Sequence, residues 1–212
     1  MTAFWMIRHA LVAENARAVL YGTMDVELCP HTLAAQVPSY EAIAKALPRP
    51  AVWVVTPLSR TVRTARAIIS AGYAAPASAA SDAPELLVEP DLIEQNLGEW
   101  QGLPHADLPP LLTAPAHPFW PLSGTERPPG GESMAEVITR VGAAMERLAR
   151  EHDGRDVVIV SHGGAIRAAV AHALAITADN ALHHSVQNLS LTRLERSNEG
   201  WRVNCVNAMP AV

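Results

Sequence analysis

Residues Phe4 to Ala10, Phe-Trp-Met-Ile-Arg-His-Ala, constrain the chain more than any other stretch. An apolar run of strand length stops abruptly at Arg8 and His9. Such a run reads as a strand buried in a parallel sheet, and open α/β sheets place their sites at the carboxyl ends of those strands. Alone, an Arg-His pair marks the surface end of a strand more readily than a site, because dipeptides match by accident. The rest of the chain decides between the two.

The 212 residues suit one domain, 1–212, with an insertion at about 104–131. Hydrophobic residues make up 49%, enough for a real core. A net charge of -5 and a pI of about 6.0 offer nucleic acid no basic stripe. A small anionic substrate stays open, because a few local arginines decide that. Cys29 and Cys205 have neither zinc-site spacing nor a disulfide framework, which fits two free thiols in a reducing compartment. The N-terminus shows no basic region followed by a long apolar core, and no apolar run approaches the roughly 20 residues of a membrane helix. The expectation is a cytoplasmic protein with no metal and no membrane or nucleic-acid partner.

Along the chain, strand runs alternate with polar junctions and helical patterns. Tyr21-Gly22-Thr23-Met24-Asp25 reads as a loop over the end of the first strand. Leu33 to Leu47 reads as helix broken near Pro38. Val52–Val55 is a second strand, leading through Thr56-Pro57-Leu58-Ser59-Arg60 into a helix over Thr61–Ile69 with Ser59 as its expected N-cap. Ala74 to Pro84 reads as a loop and Leu86–Val88 as a third strand. From Pro104 to Gly131 lie eight of the 17 prolines, with Phe119 and Trp120 among them. That composition predicts an excursion from the sheet with at most short helical turns, either surface packing or a lid. Met134, Val137, Ile138, Val141, Met145 and Leu148 then share one helical face, opened by a capping box at Ser133 and Glu136. Val157–Val160 is the strongest strand and runs into Ser161-His162-Gly163-Gly164 and a small-residue helix over Ala165–Ile176. Two antiparallel strands about a turn at Asn198-Glu199-Gly200 close the pattern. The fold class is α/β: three layers, a mostly parallel central sheet with helices on both faces, and a Pro-rich inserted lid.

Three strand ends carry groups of one chemistry: Arg8 and His9, Arg60, and His162. Carboxyl ends of parallel strands share an edge of the sheet, so these side chains can converge. A neutral imidazole can attack phosphorus, and guanidinium forks suit the charge that develops on the phosphoryl oxygens. A leaving alkoxide also needs a proton, so a carboxylic acid is expected nearby.

The chain resembles the histidine phosphatase superfamily, the phosphoglycerate mutase-like family. The resemblance rests on Arg8-His9-Ala10 with Asn15, Gly22-Thr23-Met24-Asp25, Thr56-Pro57-Leu58-Ser59-Arg60, Leu92-Ile93-Glu94 with Gly98-Glu99-Trp100-Gln101-Gly102, Pro129-Gly130-Gly131-Glu132-Ser133, Val160-Ser161-His162-Gly163-Gly164 and Asn188-Leu189-Ser190-Leu191-Thr192. It implies that His9 is the nucleophile, that Arg8, Arg60 and His162 bind the phosphoryl group, and that Glu94 is the general acid and then the base for water. Asn15, Gly22, Thr23 and Gly163 are its secondary substrate contacts. Ala10 departs from the usual glycine, and Glu27-Leu28-Cys29-Pro30 departs from the usual Pro-Leu-Thr region. The expected activity is that of a metal-independent phosphatase, without cofactor, acting on a small phosphorylated metabolite. A mutase-type phosphotransferase and a non-catalytic phospho-ligand binder are the alternatives, and a homodimer is the candidate assembly. His183-His184 reads as structural rather than as a metal pair. No motif decodes the substrate, whose specificity is expected in 104–131 and around Gly22.

Overall fold

The β-branched run at Val157–Val160 sits at the centre of the sheet, where such side chains pack best. In the computed structural model, which describes residues 1–73 and 83–211, it forms part of β4 (Asp156–Ser161). Its parallel neighbours are β1 (Thr2–Arg8) on one side and β2 (Val52–Val55) on the other. β3 (Leu86–Val88) extends the sheet beyond β2 in parallel. Antiparallel to β1 comes β5 (Leu191–Ser197), and antiparallel to that the edge strand β6 (Gly200–Ala208). The spatial order is β3-β2-β4-β1-β5-β6. The expected final hairpin is present, turning at Asn198-Glu199.

Period-two alternation splits the strand side chains between two cores. Phe4, Met6, Val54, Val157 and Ile159 face α5 (Met134–Glu151) and α6 (Gly163–Leu174). Ile7, Trp53, Val55, Val158 and Val160 face α3 (Val37–Ala46) and α4 (Ser59–Ile68). Helices therefore cover both faces, and the architecture is the three-layer α/β arrangement expected. Among the described residues, short α1 (Glu14–Arg17), α2 (Pro30–Ala35) and α7 (Ala178–Leu182) complete the α-helices. None of these three was expected as a separate element, since none is long enough to show a period.

α5 behaves as its sequence dictates. Val137, Val141, Met145 and Leu148 are buried on one face, each worth about 1.5–3 kcal/mol over exposure. Ser133 and Glu136 form the capping box, worth about 1 kcal/mol. A charge at Val141 would break that packing first. The expected break near Pro38 is real: α2 ends at Ala35, and Pro38 lies in the first turn of α3, where its missing N–H costs nothing. Ser59 is not the N-cap it was expected to be. Leu58 holds that position, and the Ser59 amide and Oγ both donate to Asp25 Oδ1 at 2.9 and 2.8 Å. A carboxylate from a distant loop thus satisfies the orphan donor that a local hydroxyl would otherwise take.

The Pro-rich segment stands outside the sheet and contains only the short turns His105–Asp107 and Pro109–Leu111. Of the loop read over Ala74–Pro84, residues 74–82 lie outside the described residues. Among the described residues no helix is long and apolar enough to cross a membrane.

Candidate active site

Because β4 lies between β1 and β2, the three arginine- or histidine-bearing junctions are side by side at one sheet edge. β1 ends on Arg8, in register with Ser161 at the end of β4. The next residue, His9, is held through its backbone: its amide donates to Ser161 O at 2.9 Å, and Asn188 Nδ2 donates to its carbonyl at 2.7 Å. Its imidazole is buried, and Nδ1 lies 2.7 Å from Ala10 O. A carbonyl only accepts, so Nδ1 carries the proton and the lone pair resides on Nε2. Burial, then the positive charges of Arg60 and Arg8, hold the His9 pKa well below 6.5, so the ring is neutral at pH 7. That is the state a nucleophile needs.

Ala10 fits without strain. Its φ lies outside the left-handed region, its methyl is buried beside Ile7 and Val160, and its amide donates to Thr64 Oγ1 at 3.0 Å. Glycine's conformational freedom is not required at this position.

Arg60 stands in the first turn of α4 and is fully buried. Nη1 donates to Met24 O at 2.7 Å, Nη2 to Gly22 O at 2.8 Å, and Nε to His162 Nδ1 at 3.3 Å. The Tyr21 ring covers the guanidinium at 5.4 Å. Each terminal nitrogen keeps one further N–H for a guest. His162, at the N-cap of α6, is also buried, with Nε2 2.9 Å from Thr56 Oγ1. Burial and the charge of Arg60 depress its pKa strongly as well. The His9 and His162 rings meet edge to face at 5.2 Å. Arg8 is anchored by Nη1 donating to Val186 O at 2.6 Å, while its buried Nε has no partner.

Glu94 reaches the same place from the segment after β3. Its Oε2 accepts from the Gly164 amide at 3.2 Å and its Oε1 from the Gln95 amide at 2.9 Å. The carboxyl group thus sits at the N-terminal end of α6. A Cβ on Gly164 would overlap Glu94 Oε1, so this glycine makes room for the acid. The acids near it in sequence are elsewhere: Glu89 pairs with Arg147 at 2.5 Å, and Glu99 is exposed.

The secondary residues separate. Gly22 lines the cavity at φ +41°, and a Cβ there would come 2.8 Å from Gln95 O. Gly163 opens α6 beside Arg8. The Thr23 amide and Oγ1 both donate to Gln101 Oε1 at 2.7 Å. Asn15 is exposed, and its Oδ1 accepts from the Ala16 amide. A cavity of about 280 Å³ opens from Arg8 and Glu94 and is walled by Tyr21, Leu97, His105, Trp120 and Leu122, with Arg17 also on its lining. The Pro-rich segment therefore supplies a wall of the cavity. Trp120 forms part of it; Phe119 is 66% exposed and packs on His117 and His183. Among the described residues no group of three or more His, Cys, Asp or Glu is placed to hold a metal ion.

Two groups escaped the sequence reading. Thr56 orients His162, and the only sequence signal was its place at a strand end. Arg167 is buried in α6, with Nε donating to His184 O at 2.7 Å and Trp120 stacked on it at 4.5 Å. Its signal was an arginine within a run of Gly, Ala, Ile and Val from Gly163 to Ala171.

Residues 4–209 match the model of the histidine phosphatase superfamily (branch 1). The chain is 29% identical over 171 residues to a metal-independent phosphoserine phosphatase of Arabidopsis thaliana, covering 79% of this chain and 67% of that protein. It is also 29% identical over 181 residues to a 2,3-bisphosphoglycerate-dependent phosphoglycerate mutase of Cytophaga hutchinsonii, covering 84% and 80%. The solved structure of a mycobacterial glucosyl-3-phosphoglycerate phosphatase with VO3 superposes with a TM-score of 0.78 at 28% identity, over 97% of this chain and 98% of that one.

Proposed function

Since the chain belongs to the histidine phosphatase superfamily, we propose that it hydrolyses a small phosphate monoester through a phosphohistidine on His9, without a metal. The observation that carries this is the buried, neutral His9, with Nδ1 tied to Ala10 O and the charges of Arg8 and Arg60 beside it.

His9 Nε2 attacks phosphorus, forming the N–P bond as the ester P–O bond breaks. Arg8 and Arg60 hold the equatorial oxygens, whose charge grows in the transition state. Glu94 gives its proton to the departing alkoxide. Its carboxylate then takes a proton from water, which attacks phosphorus and breaks the N–P bond, releasing inorganic phosphate and restoring His9. In the free protein His162 Nδ1 accepts from Arg60 Nε. A phosphoryl dianion favours protonation of His162, which turns that nitrogen into a donor and releases Arg60 Nε toward the ester.

Two names among the relatives support the reading of a hydrolase, those of the phosphoserine and glucosyl-3-phosphoglycerate phosphatases. The mutase relative keeps the phosphotransferase reading alive, because it needs the same first half-reaction. The test is phosphate release from a panel of monoesters with and without chelator, alongside phosphoglycerate isomerisation. We expect chelator-insensitive release and an acid-labile phosphoprotein that is absent in His9→Ala. Isomerisation faster than hydrolysis would make the chain a mutase, and turnover by His9→Ala would remove the phosphohistidine.

A further inference from the structure

Arg167 is a buried cation whose donors are not all used. It is 7% exposed, and Nε is bonded to His184 O, but Nη1 is closed to solvent and has no partner. Among the described residues no carboxylate lies within 4 Å of it. Leaving a buried guanidinium donor unpaired is costly, and native structures rarely do so without a function. Burial brings its pKa down to about 10, so it remains charged at neutral pH.

Its position says what the donor faces. Arg167 lies one helical turn after Gly163, on the same side of α6. A methyl on Gly163 would come 3.1 Å from Arg167 Nη1 and 3.4 Å from Arg8 Nε. The two guanidinium groups therefore converge on one spot beside the opening of the helix, and Arg8 Nε is also unpartnered. A third unpartnered donor is Trp120 Nε1, whose ring stacks on Arg167 and lines the cavity with Arg8 and Glu94. Glu94, proposed for the leaving-group side, reaches the same helix opening, where a Cβ on Gly164 would overlap its Oε1. The phosphoryl end already has Arg8 and Arg60. Arg167 stands behind Trp120 rather than on the cavity lining, so what is unmatched is a second site for anionic oxygen reached past the indole.

We propose that Arg167 and Trp120 form a specificity subsite that selects phosphomonoesters whose leaving group carries a carboxylate. A guanidinium edge and an indole N–H suit the planar, two-oxygen acceptor. Since these donors are closed to solvent in the free protein, the acid enters as the indole gives way. Trp120 belongs to irregular chain, where that movement is cheapest.

The inference rests on the phosphomonoesterase reading, and the assay separates the two. Phosphoserine and phosphoethanolamine differ by one carboxylate, and p-nitrophenyl phosphate serves as a generic ester. The readout is the ratio of kcat/KM for phosphoserine over phosphoethanolamine. We expect a wild-type ratio of about 10 or more, the worth of one charge-assisted contact. In Arg167→Lys the ratio falls toward one through KM for phosphoserine, and in Trp120→Phe it falls about two- to fivefold, as loss of one donor implies. Because a ratio is read, a general loss of activity in the variants does not mimic the effect. A wild-type ratio near one, or an unchanged ratio in both folded variants, overturns the subsite. If Arg167→Lys does not fold, the wild-type and Trp120→Phe ratios decide. Failure of the wild type to hydrolyse even p-nitrophenyl phosphate overturns the phosphatase reading, and the subsite with it.

Discussion

The groups proposed to hold and attack the phosphoryl group hang from regular structure: Arg8, which lines the cavity, and His9 from the end of β1, Arg60 from the first turn of α4, His162 from the end of β4. At the leaving-group end the wall comes from irregular chain, with Trp120 and Leu122 between short turns and Tyr21 in a loop. Strand ends fix their side chains through a sheet of paired backbone, so the reacting groups need little reorganisation as charge develops. Irregular chain fixes its side chains only by local packing, and it can vary without disturbing the sheet. On the reading proposed above, the difference separates two properties of one cavity: the chemistry at phosphorus rests on the sheet, and the choice of ester rests on the irregular wall with Arg167 of α6 behind Trp120.

The largest effect should come from His9→Ala. It removes the nucleophile and leaves the rest of the cup, so kcat should fall by at least about 10⁴-fold, and equally for every ester tested. A steady-state comparison over a substrate panel checks both statements. A loss that depends strongly on the ester would break the division between the two ends.

Next comes Gly164→Ala. Its Cβ would occupy the place of Glu94 Oε1, so the acid must move, and a displacement of that order costs about 10²-fold in kcat. Esters with good leaving groups, such as p-nitrophenyl phosphate, should lose least, because they need the proton least. An equal loss for all esters would show that Gly164 serves packing rather than Glu94.

Gly164 also shows how far the sequence could be read. The Gly-Gly pair after His162 was visible at a strand end, as were Arg8 and Arg60, because each follows a strand run; Glu94 was named only through the family resemblance. Its reason was not visible, since it lies in a carboxylate 70 residues away in sequence. Asp25 capping α4 in place of Ser59 is the same kind of failure: local chemistry named a nearby hydroxyl, and tertiary structure supplied a distant carboxylate. Arg167 was hidden for another reason. An arginine in an Ala-rich helix reads as the solvent face, and only the close seating of α6 on the sheet and the arrival of Trp120 bury it. The Pro-rich segment could be delimited by composition, but no period said which of its aromatics faces the cavity.

Trp120→Ala tests the insert directly. Loss of the indole wall should change kcat/KM by about two- to tenfold, in proportion to how well the leaving group fills the cavity, with kcat for small esters nearly constant. Phe119→Ala, at an exposed ring outside the cavity, is the control and should leave kcat/KM within about twofold. A large kcat effect from Trp120→Ala for every ester would mean that the insert also positions the reacting groups, and the two ends would no longer be separable.

The smallest effect lies in stability, and it belongs to the phosphoryl end alone. His9 and His162 both have folded-state pKa values well below 6.5, from burial and the arginine charges. In the unfolded chain both titrate near 6.5. Above that value neither state holds the protons, and the pair contributes no pH dependence. Below it the unfolded chain takes up two protons that the folded chain refuses, so stability falls as pH falls. The limiting slope from the pair is about 2.7 kcal/mol per pH unit, set by two protons at about 1.36 kcal/mol each. Glu136, Glu146 and Asp153, whose folded pKa values are also lowered, act in the same direction, but only in the more acid range where carboxylates titrate. Urea unfolding between pH 7.5 and 5 therefore isolates the histidines. His162→Gln should remove about half of the slope in that window, because one of the two refused protons is gone. An unchanged slope would mean that the histidines are not held neutral, and would remove the electrostatic argument for His9 as the nucleophile.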